Sequence, residues 1–73
     1  MNKTLYSEDY REIIKRLKKA RIDACLAQQE VADKLSKPQS YVSKIESGER
    51  RLDVLEIKKF AQIYKKNITF FID

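Results

Sequence analysis

The sequence predicts an all-α fold, and three observations carry that expectation. Apolar residues recur at three- and four-residue spacing along most of the chain, the pattern of helices that each bury one stripe. One Gly and one Pro among 73 residues leave little material for hairpin turns. Runs of β-branched residues are rare. With 42% hydrophobic and 37% charged residues, the composition is that of a globular surface around a core, not of a disordered tail. A chain this short supports one small domain, taken as residues 1–73.

The elements follow in order. Residues 1–6 read as a loose arm. Ser7 precedes Glu8 and Asp9, an oxygen cap followed by acids that suit a helix start. Tyr10, Ile13, Ile14, Leu17 and Ala20 then form one apolar stripe, and this first helix should end between Arg21 and Ala24. Residues 28–35 give a short second helix with Val31, Ala32 and Leu35 facing inward. Ser36-Lys37-Pro38 breaks it, because Pro fits a helix start and not its interior. A third helix over residues 38–46 buries Val42 and Ile45, and Gly48 can take the left-handed conformation that ends helices. Asp53 caps a fourth helix carrying Leu55, Ile57, Phe60, Ala61 and Tyr64. Asn67 caps a last apolar turn over residues 68–72.

Composition excludes several function classes. There is no His, so classical triads, His-based acid–base catalysis and most zinc sites are out of reach. No paired-carboxylate or nucleotide-loop constellation is present, so the chain is not expected to be an enzyme, and no cofactor or metal is implied. Cys25 is the only cysteine; it cannot form a disulfide within the chain, suits a reducing cytosol, and is expected to be buried or half-buried. No window approaches the ~18 apolar residues of a membrane span, and no leader-like run follows the first residues. The net charge of +5 and pI near 9.4 favour nucleic acid, an acidic membrane surface or an acidic protein partner, without choosing among them.

Residues 26–48 make that choice. Two short helices joined by a three- or four-residue turn are the core of a DNA-binding helix-turn-helix. A small residue is needed where the helices approach, and Ala32 supplies it. Val31, Leu35, Val42 and Ile45 lock the second helix of the motif onto the body. With Val42 and Ile45 facing inward, Gln39, Ser40, Ser43 and Lys44 fall together on the opposite side. Gln can pair with adenine N6 and N7, Lys can reach guanine O6 and N7, and Ser can donate or accept. Such residues are common on any solvated helix face. The turn, small residue and apolar lock in register are what favour a reading face.

The segment LAQQEVADKLSKPQSYVSKIESGERRLDVLE resembles the Cro/C1-type, or XRE-family, helix-turn-helix of bacterial and phage transcriptional regulators. The pattern Gln28…Glu30-Val31-Ala32…Leu35…Ser40…Val42-Ser43…Ile45-Glu46…Gly48 carries the likeness, which extends over about residues 10–72. It implies a compact five-helix bundle, lambda-repressor-like, and cytoplasmic, nucleoid-associated action on double-stranded DNA, usually as a two-fold dimer on a palindromic operator. It implies that Gln28 holds a backbone phosphate and that Gln39, Ser40, Ser43 and Lys44 read bases. Tyr41 is a candidate phosphate contact through its hydroxyl, and Lys37, Arg50 and Arg51 flank the reading helix as phosphate clamps. Glu46 matches a structural glutamate of the family, with Arg21 as its ion-pair partner.

The departures from the family pattern are informative. The family favours Gly at the positions of Cys25, Ser36 and Lys65, so these turns should be strained or differently shaped. Ala27 occupies the usual Ser/Thr cap of the second helix, a loss worth about 1 kcal/mol. Phe70, Phe71 and Ile72 are expected to close the core, and also, or instead, to form a dimer seam. A chain ending at Asp73 fits both a complete regulator and an excised N-terminal domain. A restriction–modification controller and an antitoxin are compatible subtypes. The rival from another class is a protein-interaction module that kept the fold and lost operator binding.

Overall fold

A computed structural model describes residues 7–72; the arm expected over residues 1–6 lies outside them. The first helix, α1 (Glu8–Asp23), starts where Ser7 accepts a hydrogen bond from the Tyr10 N–H, with Glu8 and Asp9 in its first turn. It is followed by α2 (Gln28–Leu35), α3 (Gln39–Glu46) and α4 (Val54–Tyr64), and then by a 3₁₀ turn over Ile68–Phe70. Pro38 stands at the N-cap of α3, just outside the helix, where its missing N–H costs nothing. Asp53 and Glu56 close a reciprocal cap on α4: the Asp53 carboxylate accepts from the Glu56 N–H at 2.8 Å, and Glu56 accepts from the Asp53 N–H at 2.9 Å.

The described residues thus hold four α-helices, not five. The fifth element is a single 3₁₀ turn, in which Phe70 and Phe71 donate three residues back, to Asn67 and Ile68. The Asn67 side chain accepts from both the backbone and the hydroxyl of Thr69, which favours a tight capped turn at two β-branched residues over a propagating helix.

Four corners share one design. Cys25, Ser36 and Lys65 stand at φ +59°, +56° and +57°, and Gly48 at +83°. After each, the next N–H reaches back five residues: Leu26 to Arg21, Lys37 to Ala32, Glu49 to Lys44 and Lys66 to Ala61. This is the left-handed cap that satisfies the last carbonyls of a helix. Three of the four are built without Gly, so those turns are strained, not differently shaped. The geometry also corrects the expectation for Cys25, which is exposed; a corner residue in this conformation stands off the helix it ends, away from the core.

The core gathers around Leu17, Val31, Val42, Ile45, Phe60 and Phe71, the largest side chains removed from water. Ala20 and Ala32 are wholly buried, and their small size lets α1, α2 and α3 pack closely. Leu55, expected on the inner stripe of the fourth helix, is 69% exposed. Leu52, in the loop before α4, is buried in the cluster instead. Of the apolar tail, Phe71 closes the core at 1% exposure, Phe70 is half-buried and Ile72 is exposed. Phe70 and Phe71 meet edge to face at 5.2 Å between ring centroids. No helix among the described residues is long and apolar enough to cross a membrane.

Candidate nucleic-acid interface

The second helix of the motif is fixed from below. Val42 and Ile45, at 0% and 1% exposure, hold one side of α3 in the core, and helical geometry sends Gln39, Ser40, Ser43 and Lys44 outward, where all four are exposed. An eight-residue helix locked in this way presents one polar face with no acidic side chain among these four.

Behind that face runs a chain of hydrogen bonds. Arg21 grips Glu46 with two donors, Nε at 2.7 Å and Nη2 at 3.1 Å, and its Nη1 donates to the Leu26 carbonyl at 2.9 Å. The pair joins the end of α1 to the end of α3, with side-chain exposures of 13% and 6%. Gln28 donates to the same carboxylate at 3.0 Å and accepts from Gln39 at 3.1 Å. The network therefore continues from the ion pair to the first residue of the reading helix. Gln28, the first residue of α2, is half-buried within it. Ala27 offers no side-chain cap; the Glu30 carboxylate instead accepts from the Ala27 N–H at 2.8 Å, so half of a reciprocal cap survives.

The flanking cations converge on Tyr41. Its ring stacks parallel to Phe60, with centroids 6.5 Å apart. Lys37, from the turn before α3, lies 5.3 Å from the ring centroid, and Arg50, from the loop after it, lies 4.8 Å away. The Tyr41 hydroxyl donates to Glu56, so the structure commits to an internal carboxylate the group expected to face a phosphate. Burial, then the bond to Glu56 and its charge, push this phenol up to about 12. Burial pushes the Glu56 carboxyl upward, but hydrogen bonds from Tyr41 and the Asp53 N–H, with the Arg50 charge, leave it below its ordinary value.

Tyr10 performs a matching task on the loop backbone. Its hydroxyl donates to the Arg50 carbonyl at 3.0 Å and accepts from the Leu52 N–H at 3.1 Å, and Arg51 lies 5.9 Å from its ring centroid. Neither Tyr10 nor Glu56 was singled out from the sequence as part of this surface. For Glu56 a signal existed: the spacing Asp53-x-x-Glu56 is a reciprocal cap, which fixes that carboxylate beside the loop. For Tyr10 no local pattern could have revealed a partner 40 residues away.

A short polar helix held across a second one, with cations on both flanks, defines the class of DNA-binding helix-turn-helix regulators. A family model described as helix-turn-helix matches residues 17–71, well over half of the chain. The chain therefore belongs to the Cro/C1-type, or XRE, helix-turn-helix family. No curated protein matches it significantly.

Proposed function

We propose that this protein is a sequence-specific repressor or autoregulator that binds a palindromic operator as a two-fold dimer, with residues 1–73 acting as one DNA-binding domain in the cytoplasm. One observation carries the reading: Gln39, Ser40, Ser43 and Lys44 are exposed together on the side of α3 opposite the buried Val42 and Ile45. In the major groove, Gln39 and Lys44 would supply the discriminating contacts, to adenine and guanine, with the two serines adapting to either. Lys37, Arg50 and Arg51 would hold phosphates on either side, and Gln28 would brace Gln39 while reaching the backbone at the start of α2.

The dimer rests on what the core leaves uncovered. Ile72 is exposed and Phe70 is half-buried at the end of the chain's apolar tail. A seam would involve Ile72 and the outer part of Phe70, while Phe71 stays in its own core. A two-fold axis would set the reading helices one DNA turn apart, roughly 34 Å.

Selection of binding sites from random DNA tests this directly. Two inverted half-sites with centres about 10 base pairs apart are expected. A single unrepeated site would overturn the dimer, and failure to enrich any sequence would leave the interaction-module reading in its place.

A further inference from the structure

An arginine on a solvated loop is a poor phosphate ligand until its long side chain is held. Arg50 is held unusually well for a residue in a connecting loop. Its Nη1 carries two protons, and both are engaged: one with Glu56 at 2.9 Å, the other with the Arg51 carbonyl at 3.0 Å. The guanidinium also lies over the Tyr41 ring. Among the described residues its Nε and Nη2 make no hydrogen bond, and these two are the parallel fork that pairs with an oxyanion. Glu56 is itself fixed, by the Tyr41 hydroxyl on one oxygen and the Asp53 N–H on the other.

We propose that Glu56, anchored by Tyr41, is a positioning residue for DNA binding: it occupies one end of the Arg50 guanidinium and so presents the Nε/Nη2 fork to a backbone phosphate. The inference rests on the DNA-binding reading above. It assigns a favourable role to an acid on a surface that binds a polyanion, which makes the sign of its effect decisive. By charge alone, Glu56→Gln raises the net charge from +5 by one and should tighten binding. By positioning, the same change loosens Arg50 and should weaken it.

The test is the affinity of the full chain for a selected duplex and for an unrelated duplex, each over a range of salt. Glu56→Gln retains a side-chain oxygen for the Asp53 N–H, so the α4 cap persists. Tyr41→Phe retains the ring under both cations and its packing on Phe60. Each variant should bind both duplexes about tenfold more weakly, the value of one charge-assisted hydrogen bond, and Glu56→Gln should lower the salt slope by about one. In an Arg50→Ala background neither change should weaken binding further. Tighter or unchanged binding by Glu56→Gln, or a weakening that persists without Arg50, would overturn the proposal while leaving the DNA-binding reading intact. Absence of salt-sensitive binding in the unaltered protein would overturn both.

Discussion

Glu46 accepts three hydrogen bonds from two helices, and few residues in the chain have more resting on them. Two come from Arg21 and one from Gln28, which in turn holds Gln39. Removing one partner of a largely buried ion pair leaves the other charge unpaired, at a cost of about 3–5 kcal/mol. Glu46→Ala should lower the unfolding free energy by that order in denaturant titrations. The outer side chains behave differently, since they are solvated before DNA arrives. Gln39→Ala and Lys44→Ala should erode discrimination between sites by about 1–3 kcal/mol and leave folding intact. Arg50→Ala should weaken binding to all sequences alike and reduce the salt slope by about one. Competition binding with specific and random duplexes separates the two patterns, and their exchange would show that the reading face is misassigned.

The Tyr41 phenol gives a pH test at the same scale. Its folded value of about 12 lies above the ordinary phenol value of 10.0. The unfolded chain therefore ionises first as pH rises, so the contribution to stability is whole below pH 10 and is lost as pH climbs toward 12. Tyr10 and Tyr64 are shifted in the same direction, burial being the first cause in both. Tyr41→Phe should thus flatten the alkaline fall in stability without abolishing it, as read by melts at stepped pH.

The four left-handed corners are the clearest statement about elements. A residue with a Cβ pays about 1 kcal/mol in that conformation, and Cys25, Ser36 and Lys65 all accept the strain. Replacing any one with Gly should raise the melting temperature by about 4–8 °C for a domain of this size. Ala27→Ser should add about 1 kcal/mol more by restoring the missing cap of α2. Helix bounds were legible from the sequence because caps and apolar spacing are local: Ser7, Asp53, Pro38 and Gly48 each mark an end that the structure places within a residue or so. The shape of the corners was harder to read, because the backbone bonds of the left-handed cap hold the turn even without Gly. The last element failed for a related reason. Family likeness implied a fifth helix, but the side chain of Asn67 and two β-branched residues close a single turn.

At the scale of the whole molecule, the core and the candidate seam share one tail. Phe71 belongs to the core, so Phe71→Ala should cost about 3–5 kcal/mol, a large part of the stability available to so small a domain. Leu55→Ser removes an exposed side chain and should change monomer stability by no more than about 0.5 kcal/mol. Periodicity placed most of this core, from Tyr10 to Tyr64, because each helix buries one stripe. It misplaced Leu55 and passed over Leu52, since which residue fills the gap beside a helix start depends on the loop's path. The reading face was legible for the same reason the core was: once Val42 and Ile45 are inside, the outer positions follow. Behind it, Gln28 meets Gln39 and Glu46 across 11 and 18 positions and Arg21 meets Glu46 across 25, and no local pattern selects such partners.

The most direct measurement is the affinity of the purified protein for a selected duplex and for a scrambled duplex of the same length, titrated from low to physiological salt. The selected duplex is expected to bind more tightly at every salt concentration, and both affinities to fall steeply along a log–log line as counterions return to the DNA. Equal affinity for the two duplexes, or binding indifferent to salt, would contradict sequence-specific binding to DNA.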